Sequence, residues 1–238
     1  MYSRKNIQYE KNYTMIPPIF INHYPPLVER KKYLESVLKN PTWVTEPLKE
    51  NITEEIKNEW YKDSPEEWTS RCKSYGCRFS HRKMKEGDIA CSLGHIFSWE
   101  KFVSTNEKYG VFFEDDVVIT CNDFEEKISQ VLEQVPEDLD VLFIGGGFNH
   151  DYVTKTIKVV NEKFHLKKAP NTNCACSYVL TNRAAQKLLL ECKPFVMPID
   201  FEMNYWFNKL EFKVYHHIPY FIKEGSKTGQ YKSTQVGR

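Results

Sequence analysis

Apolar residues gather in short runs along the chain: IPPIFINHY near the start, YGVFFEDDVVI, DVLFIGGG and ACSYVLT in the middle, and FKVYHHIPYFIK near the end. Runs of that length between turn-forming residues predict buried strands. Between them the spacing changes to the helical period. VERKKYLESVLKN repeats through Val28, Tyr33, Leu34, Val37 and Leu38. GDIACSLGHIFSWEKFVSTN repeats through Ile89, Leu93, Ile96 and Val103, with Asp88 as its N-cap. FEEKISQVLEQV, RAAQKLLLEC and the segment PIDFEMNYWFNKL, which opens at Pro198, predict three further helices.

Phe148 to Ala169 reads as a polar, hairpin-like stretch. Pro41 to His81 is aromatic, charged and turn-rich, with one weak helix around ITEEIKNEWYK, and residues 1–15 read as a frayed polar leader. Strands alternating with helices, with no internal repeat or linker, predict one α/β domain over residues 16–238, built on a mostly parallel central sheet flanked by helices.

Composition narrows the function. With 238 residues and 41% apolar content, the chain can bury a sizeable core. Its 33 basic and 32 acidic residues nearly cancel, without the basic stripe that nucleic-acid binding requires. No apolar run is long enough to span a membrane, and the start lacks a secretory apolar region, so a soluble, cytoplasmic chain is expected. Seven cysteines without a zinc or disulfide framework read as reduced thiols. The sequons at Asn12 and Asn51 matter only in a secretory lumen.

The sharpest chemical feature is Glu114-Asp115-Asp116, three carboxylates flanked by Phe112, Phe113, Val117 and Val118. Buried carboxylates need a cation, hydrogen bonds or solvent. Strand alternation puts Glu114 and Asp116 on one side, suited to one hard divalent cation, and Asp115 on the other. An ordinary acidic turn is the plain alternative. Ser92, His95 and Trp99 share one helix face, where a histidine serves either the core or a ligand. Asp200 opens an aromatic helix as a cap or as a general base. The triple glycine at Gly145 to Gly147 lacks the Rossmann pattern, and Glu224 to Gly229 lacks the P-loop spacing. The latter reads as a mobile basic loop able to close on phosphates, or as a solvated tail. His216 and His217 are strand-edge residues or a third metal ligand.

Taken in order, these segments resemble glycosyltransferase family 25. IFINHYPPLVERKKYLES resembles its first strand and helix, making Asn22 and Arg30 nucleotide-side candidates. ACSLGHIFSWEKFV resembles its S-H-x-x-x-W helix, carrying over His95 and Trp99, with Gly94 where serine is usual. FFEDDVVI matches its E-D-D segment, so Glu114 and Asp116 are the implied metal ligands and Asp115 a donor-side residue. CACSYVLTNRAAQKLL puts Tyr178, Ala184 and Leu188 in register, MPIDFEMN makes Asp200 the acceptor-side carboxylate, and PYFIKEGSKTGQYKST resembles the closing stretch, with Lys223 where glutamine is common.

The resemblance implies a GT-A-like, Rossmann-type domain performing inverting transfer of galactose or glucose from a UDP-hexose, with manganese or another divalent cation. The implied acceptors are a lipooligosaccharide-type saccharide or hydroxylysine of a collagen-like protein. Oligomeric state stays open, a homodimer included. Two rivals remain: a sugar-nucleotide or carbohydrate-binding module that has lost transfer, and a metal-dependent phosphohydrolase, which a missing second ligand set disfavours. The composition would suit a bacterium or a large virus.

Overall fold

The computed structural model describes residues 16–146, 156–167 and 174–232; the leader at 1–15, Gly147 and parts of the 148–169 stretch lie outside them. The chain opens with β1 (Ile19–Asn22), α1 (Val28–Val37) and β2 (Thr42–Val44), then α2 (Glu54–Trp60), α3 (Pro65–Ser74) and the long α4 (Glu86–Val103). β3 (Tyr109–Glu114), β4 (Val117–Ile119), α5 (Phe124–Leu132), β5 (Val141–Phe143) and β6 (Gly145–Gly146) follow. β7 (Thr156–Val160), β8 (Phe164–Lys167), β9 (Ser177–Thr181), α6 (Asn182–Glu191), α7 (Ile199–Lys209), β10 (Val214–His217), β11 (Ile222–Glu224) and α8 (Gly225–Thr228) complete it. Among the described residues, no helix is long and apolar enough to cross a membrane.

Eight strands form the main sheet in the order β2-β1-β3-β9-β5-β10-β8-β7. The expectation of a mostly parallel sheet is corrected: β1 runs parallel to β2 and β3, and β5 to β10, but β9 is antiparallel to both β3 and β5, and β8 to both β10 and β7. Parallel neighbours need a crossover, usually helical. Among the described residues between β5 and β9 there is no helix, only β6 and the β7–β8 hairpin, so β9 enters the sheet in the opposite sense.

Alternating side chains build one core on each face. On one face Phe20, Phe112, Tyr178 and Phe143 lie in register across β1, β3, β9 and β5. Phe112 stacks on Phe20 at 5.5 Å and on Tyr178 at 5.2 Å, and such pairs contribute about 0.5–1.5 kcal/mol each beyond area burial. Leu93, Ile96, Trp99 and Phe102 of α4, with α6 and α7, cover this row. Ile21, Val111, Phe113, Leu142 and Val179 face the other way, onto Leu34 of α1 and Phe124 and Ile128 of α5.

Three local readings change. The continuous strand expected over Tyr109 to Ile119 breaks at Asp115-Asp116, and β4 leaves for a second sheet ordered β4-β11-β6. Asp88 is the third residue inside α4 rather than its N-cap, and its carboxylate accepts from Lys85 N at 3.0 Å. The turn-rich segment also holds α3, with Ser64 capping Glu67 N and Pro65 in its first turn, signals present in the sequence but passed over. Its Arg71 donates to Glu202 at 2.6 Å, while Glu202 accepts from Val196 N and Met197 N, so α3 pins the start of α7.

Candidate functional site

The carboxyl ends of β1 and β3 open into a cavity of about 480 Å³. Crevices beyond the carboxyl ends of strands are where open α/β sheets bind ligands. Asn22, Arg30, Glu114, Asp115, Asp116 and Asp200 all border it. Parallel pairing sets Asn22 beside Glu114, and the next residue of each strand continues the match: His23 Nδ1 lies 2.8 Å from Asp115 Oδ2. Tyr24 N donates to the same oxygen at 3.0 Å, and Arg30 Nη1 donates to Oδ1 at 2.6 Å. Arg30 is itself fixed by Lys232 O at 2.7 Å and lies over the Tyr231 ring. Asp115 is thus a buried carboxylate with both oxygens engaged.

Asp116 differs. Its Oδ1 is buried without a hydrogen-bond partner. Burial, then the neighbouring Glu114 charge, pushes its carboxyl up to about 7, with Ser226 pulling the other way. Gly225 N donates to its backbone oxygen at 2.7 Å, so α8 closes this wall. Because the chain turns after Glu114, strand alternation does not govern the triplet: all three carboxylates border the cavity.

His95 and Trp99 stand behind this wall instead of on it. Both are buried against the sheet: His95 Nδ1 meets Tyr178 Oη at 2.8 Å, and Trp99 Nε1 donates to the same hydroxyl at 2.9 Å. The α4 face that carries them turns toward the aromatic row. Burial pushes His95 down to about 4, so its 3.5 Å approach to Glu114 is a neutral polar contact and not an ion pair. Asn22 Nδ2 donates to Cys91 O at 3.0 Å. A Cβ on Gly94 would run into the Asn22 side chain, which would have to shift.

Asp200 sits in the first turn of α7, and its Oδ1 accepts from Phe201 N at 3.1 Å. Glu224, Ser226 and Lys227 also border the cavity, and the stretch read as a mobile loop or a solvated tail folds into the short α8. Thr45, Pro47, Leu48 and Lys49 bring part of the turn-rich segment to the rim. His216 and His217 are elsewhere: β10 is an interior strand, not an edge, and both rings are buried, against Tyr220 Oη at 2.7 Å and Pro219 O at 2.8 Å.

Residues 28–203 match the sequence profile of glycosyltransferase family 25, described as an LPS biosynthesis protein family. The chain belongs to glycosyltransferase family 25. Among family 25 relatives, a probable inactive glycosyltransferase 25 family member 3 from Bos taurus is 29% identical over 51% of this chain and 20% of its own length. A glycosyltransferase 25 family member from Aedes aegypti is 29% identical over 56% and 22%, and procollagen galactosyltransferase 2 from Homo sapiens 25% over 58% and 23%. The matched region thus spans about a fifth of these curated relatives. Within this family 25 chain, the sequence reading missed His23, Tyr24, Cys91 and Arg82, which borders the cavity while clamping Asp88 at 2.6 and 2.9 Å. The signal for His23 was its place one residue past a strand that pairs with the acidic triplet.

Proposed function

We propose that this chain transfers a hexose, galactose or glucose, from a UDP-sugar to a hydroxyl of a saccharide or of hydroxylysine in a collagen-like protein, with a divalent cation such as manganese. The observation that carries the reading is the buried, unpartnered oxygen of Asp116 beside Glu114 on the cavity wall. Two neighbouring carboxylates, one short of a partner, suit a hard cation with oxygen ligands. Glu114 and Asp116 would hold it, and when bound it neutralises charge on the leaving diphosphate.

The protein's own groups have distinct tasks. Arg30, already engaged with Asp115, holds the donor-side wall in place, and Asn22 borders the same cavity. Asp200, which borders the same cavity, takes the proton of the attacking hydroxyl as general base. Tyr178, held by Trp99, orients His95, whose Nε2 faces Glu114 from behind the cavity wall.

The inactivity named for the bovine relative favours a second reading, sugar-nucleotide binding without transfer. One experiment separates them. The purified chain is incubated with manganese and each common UDP-hexose, with and without a saccharide or a hydroxylysine-bearing collagen peptide, and released UDP is measured. Acceptor-stimulated release that Asp116→Asn abolishes supports transfer. Nucleotide binding with no release for any pair defeats it and leaves the binding module.

A further inference from the structure

Among the described residues, two groups of three side chains place metal-competent atoms within 4.8 Å of one another: Cys91, His95 and Glu114, and Cys174, Cys176 and Glu224. The first has a feature the second lacks. His95 Nε2 is buried with no hydrogen-bond partner, in a residue only 1% exposed. It faces Glu114 Oε1 at 3.5 Å, and Cys91 Sγ lies 3.9 Å from the same oxygen. Ligand atoms around a tetrahedral zinc stand roughly 3.3–3.8 Å apart, given bonds of about 2.0–2.3 Å. Cys91 and His95 are four residues apart on α4, which puts both on one face.

We infer that Cys91, His95 and Glu114 form a site for a thiophilic divalent cation of the zinc class, separate in donor chemistry from the hard-cation site proposed at Glu114 and Asp116. Thiolate and imidazole select zinc, cobalt or cadmium over magnesium and manganese. Binding breaks the Cys91 S–H bond, forms a sulfur–metal bond and releases one proton to solvent. One thiolate, one carboxylate and a neutral imidazole then balance the dication, as a poorly solvated site demands. Tyr178 on His95 Nδ1, held by Trp99, supplies the outer contact that orients a ligating ring. Cys91 and Glu114 both reach the cavity, which leaves the cation an open fourth position. Glu114 would contribute to both sites, so a zinc-class cation and the donor's cation would compete for its carboxylate.

The rival use of the same space is a proton: Tyr178 donating to Nδ1 would leave an N–H on Nε2 facing Glu114, and that arrangement binds no metal. Cobalt(II) titrated into the whole chain in a non-thiol reductant distinguishes them, with an optical readout that does not depend on transfer activity. The expected result is one equivalent of tetrahedral cobalt with a sulfur-to-metal charge-transfer band. The band is kept in the Cys174→Ser/Cys176→Ser double variant and lost in Cys91→Ser, and His95→Gln weakens affinity by at least about tenfold. On the unaltered chain, zinc slows alkylation of Cys91 by about tenfold or more at saturation, which needs no variant to fold. Absence of the band, its survival in Cys91→Ser, its loss in the double variant, unchanged affinity in His95→Gln, or unprotected Cys91 would each overturn the site.

Discussion

The two walls of the cavity treat adjacent carboxylates in opposite ways. On the β1–α1 side Asp115 meets a guanidinium, an imidazole and a backbone N–H. On the β11–α8 side Asp116 meets Ser226, with Glu114 and Glu224 adding negative charge and one oxygen unpartnered. The first wall is complete by itself and behaves as structure. The second is electrostatically unfinished, and what finishes it is a cation or a proton. Neighbouring residues of identical chemistry thus meet opposite surroundings through their partners alone.

The strongest way to sharpen that contrast is Asp116→Asn, which should lower acceptor-dependent UDP release by about a thousandfold, or about 4 kcal/mol of barrier, while leaving the chain folded by circular dichroism. A variant with normal turnover would remove Asp116 from the chemistry. Arg30→Ala should act on the other wall and on stability first. It strands the buried Asp115 charge and should cost about 3 kcal/mol in urea unfolding, and a loss confined to activity would mean that Asp115 does not depend on it.

A third effect is smaller and has a sign. The folded-state pKa of Asp116 is raised to about 7, so the folded chain binds this proton more tightly than the unfolded chain does. Stability from this group is full below the unfolded carboxyl range and falls as pH rises toward 7. Relative to Asp116→Asn, the parent chain should lose about 2 kcal/mol between pH 4 and 8, discounting for local relaxation, and manganese should restore part of it. A flat difference would place Asp116 in an ordinary solvated setting. Smallest is Gly94→Ala, about 1 kcal/mol from overpacking against Asn22, together with weaker nucleotide binding by calorimetry. Unchanged binding would show that Asn22 has room to shift.

What was legible in the chain followed from local chemistry. The acidic triplet stood out because apolar residues flank it, and the helical spacing through Ile89, Leu93 and Ile96 located α4 without ambiguity. Which way a helix face turns is a different matter: Ser92 borders the cavity, but His95 and Trp99 meet Tyr178, whose position depends on β9 entering the sheet reversed. His23 escaped notice because its partner lies 92 residues away and only the β1–β3 register brings them together. Glu224 reaches the cavity through antiparallel pairing of β11 with β4, which no periodicity reveals. α3 was missed for a plainer reason, since its Ser64-Pro65 start lay within a stretch read as turns.

The late arrival of β11 also has a kinetic meaning. Arg30 is secured by Lys232, 202 residues further along, and β11 sits between β4 and β6 as the middle strand of the small sheet. During synthesis the acidic turn therefore leaves the ribosome well before the segment that walls it in. A nascent chain can pair β1 with β3 and still present Asp116 to water, which spares it burial before Gly225 and Ser226 arrive. Completion of this wall would wait on the non-local pairing of distant segments, which sets the pace.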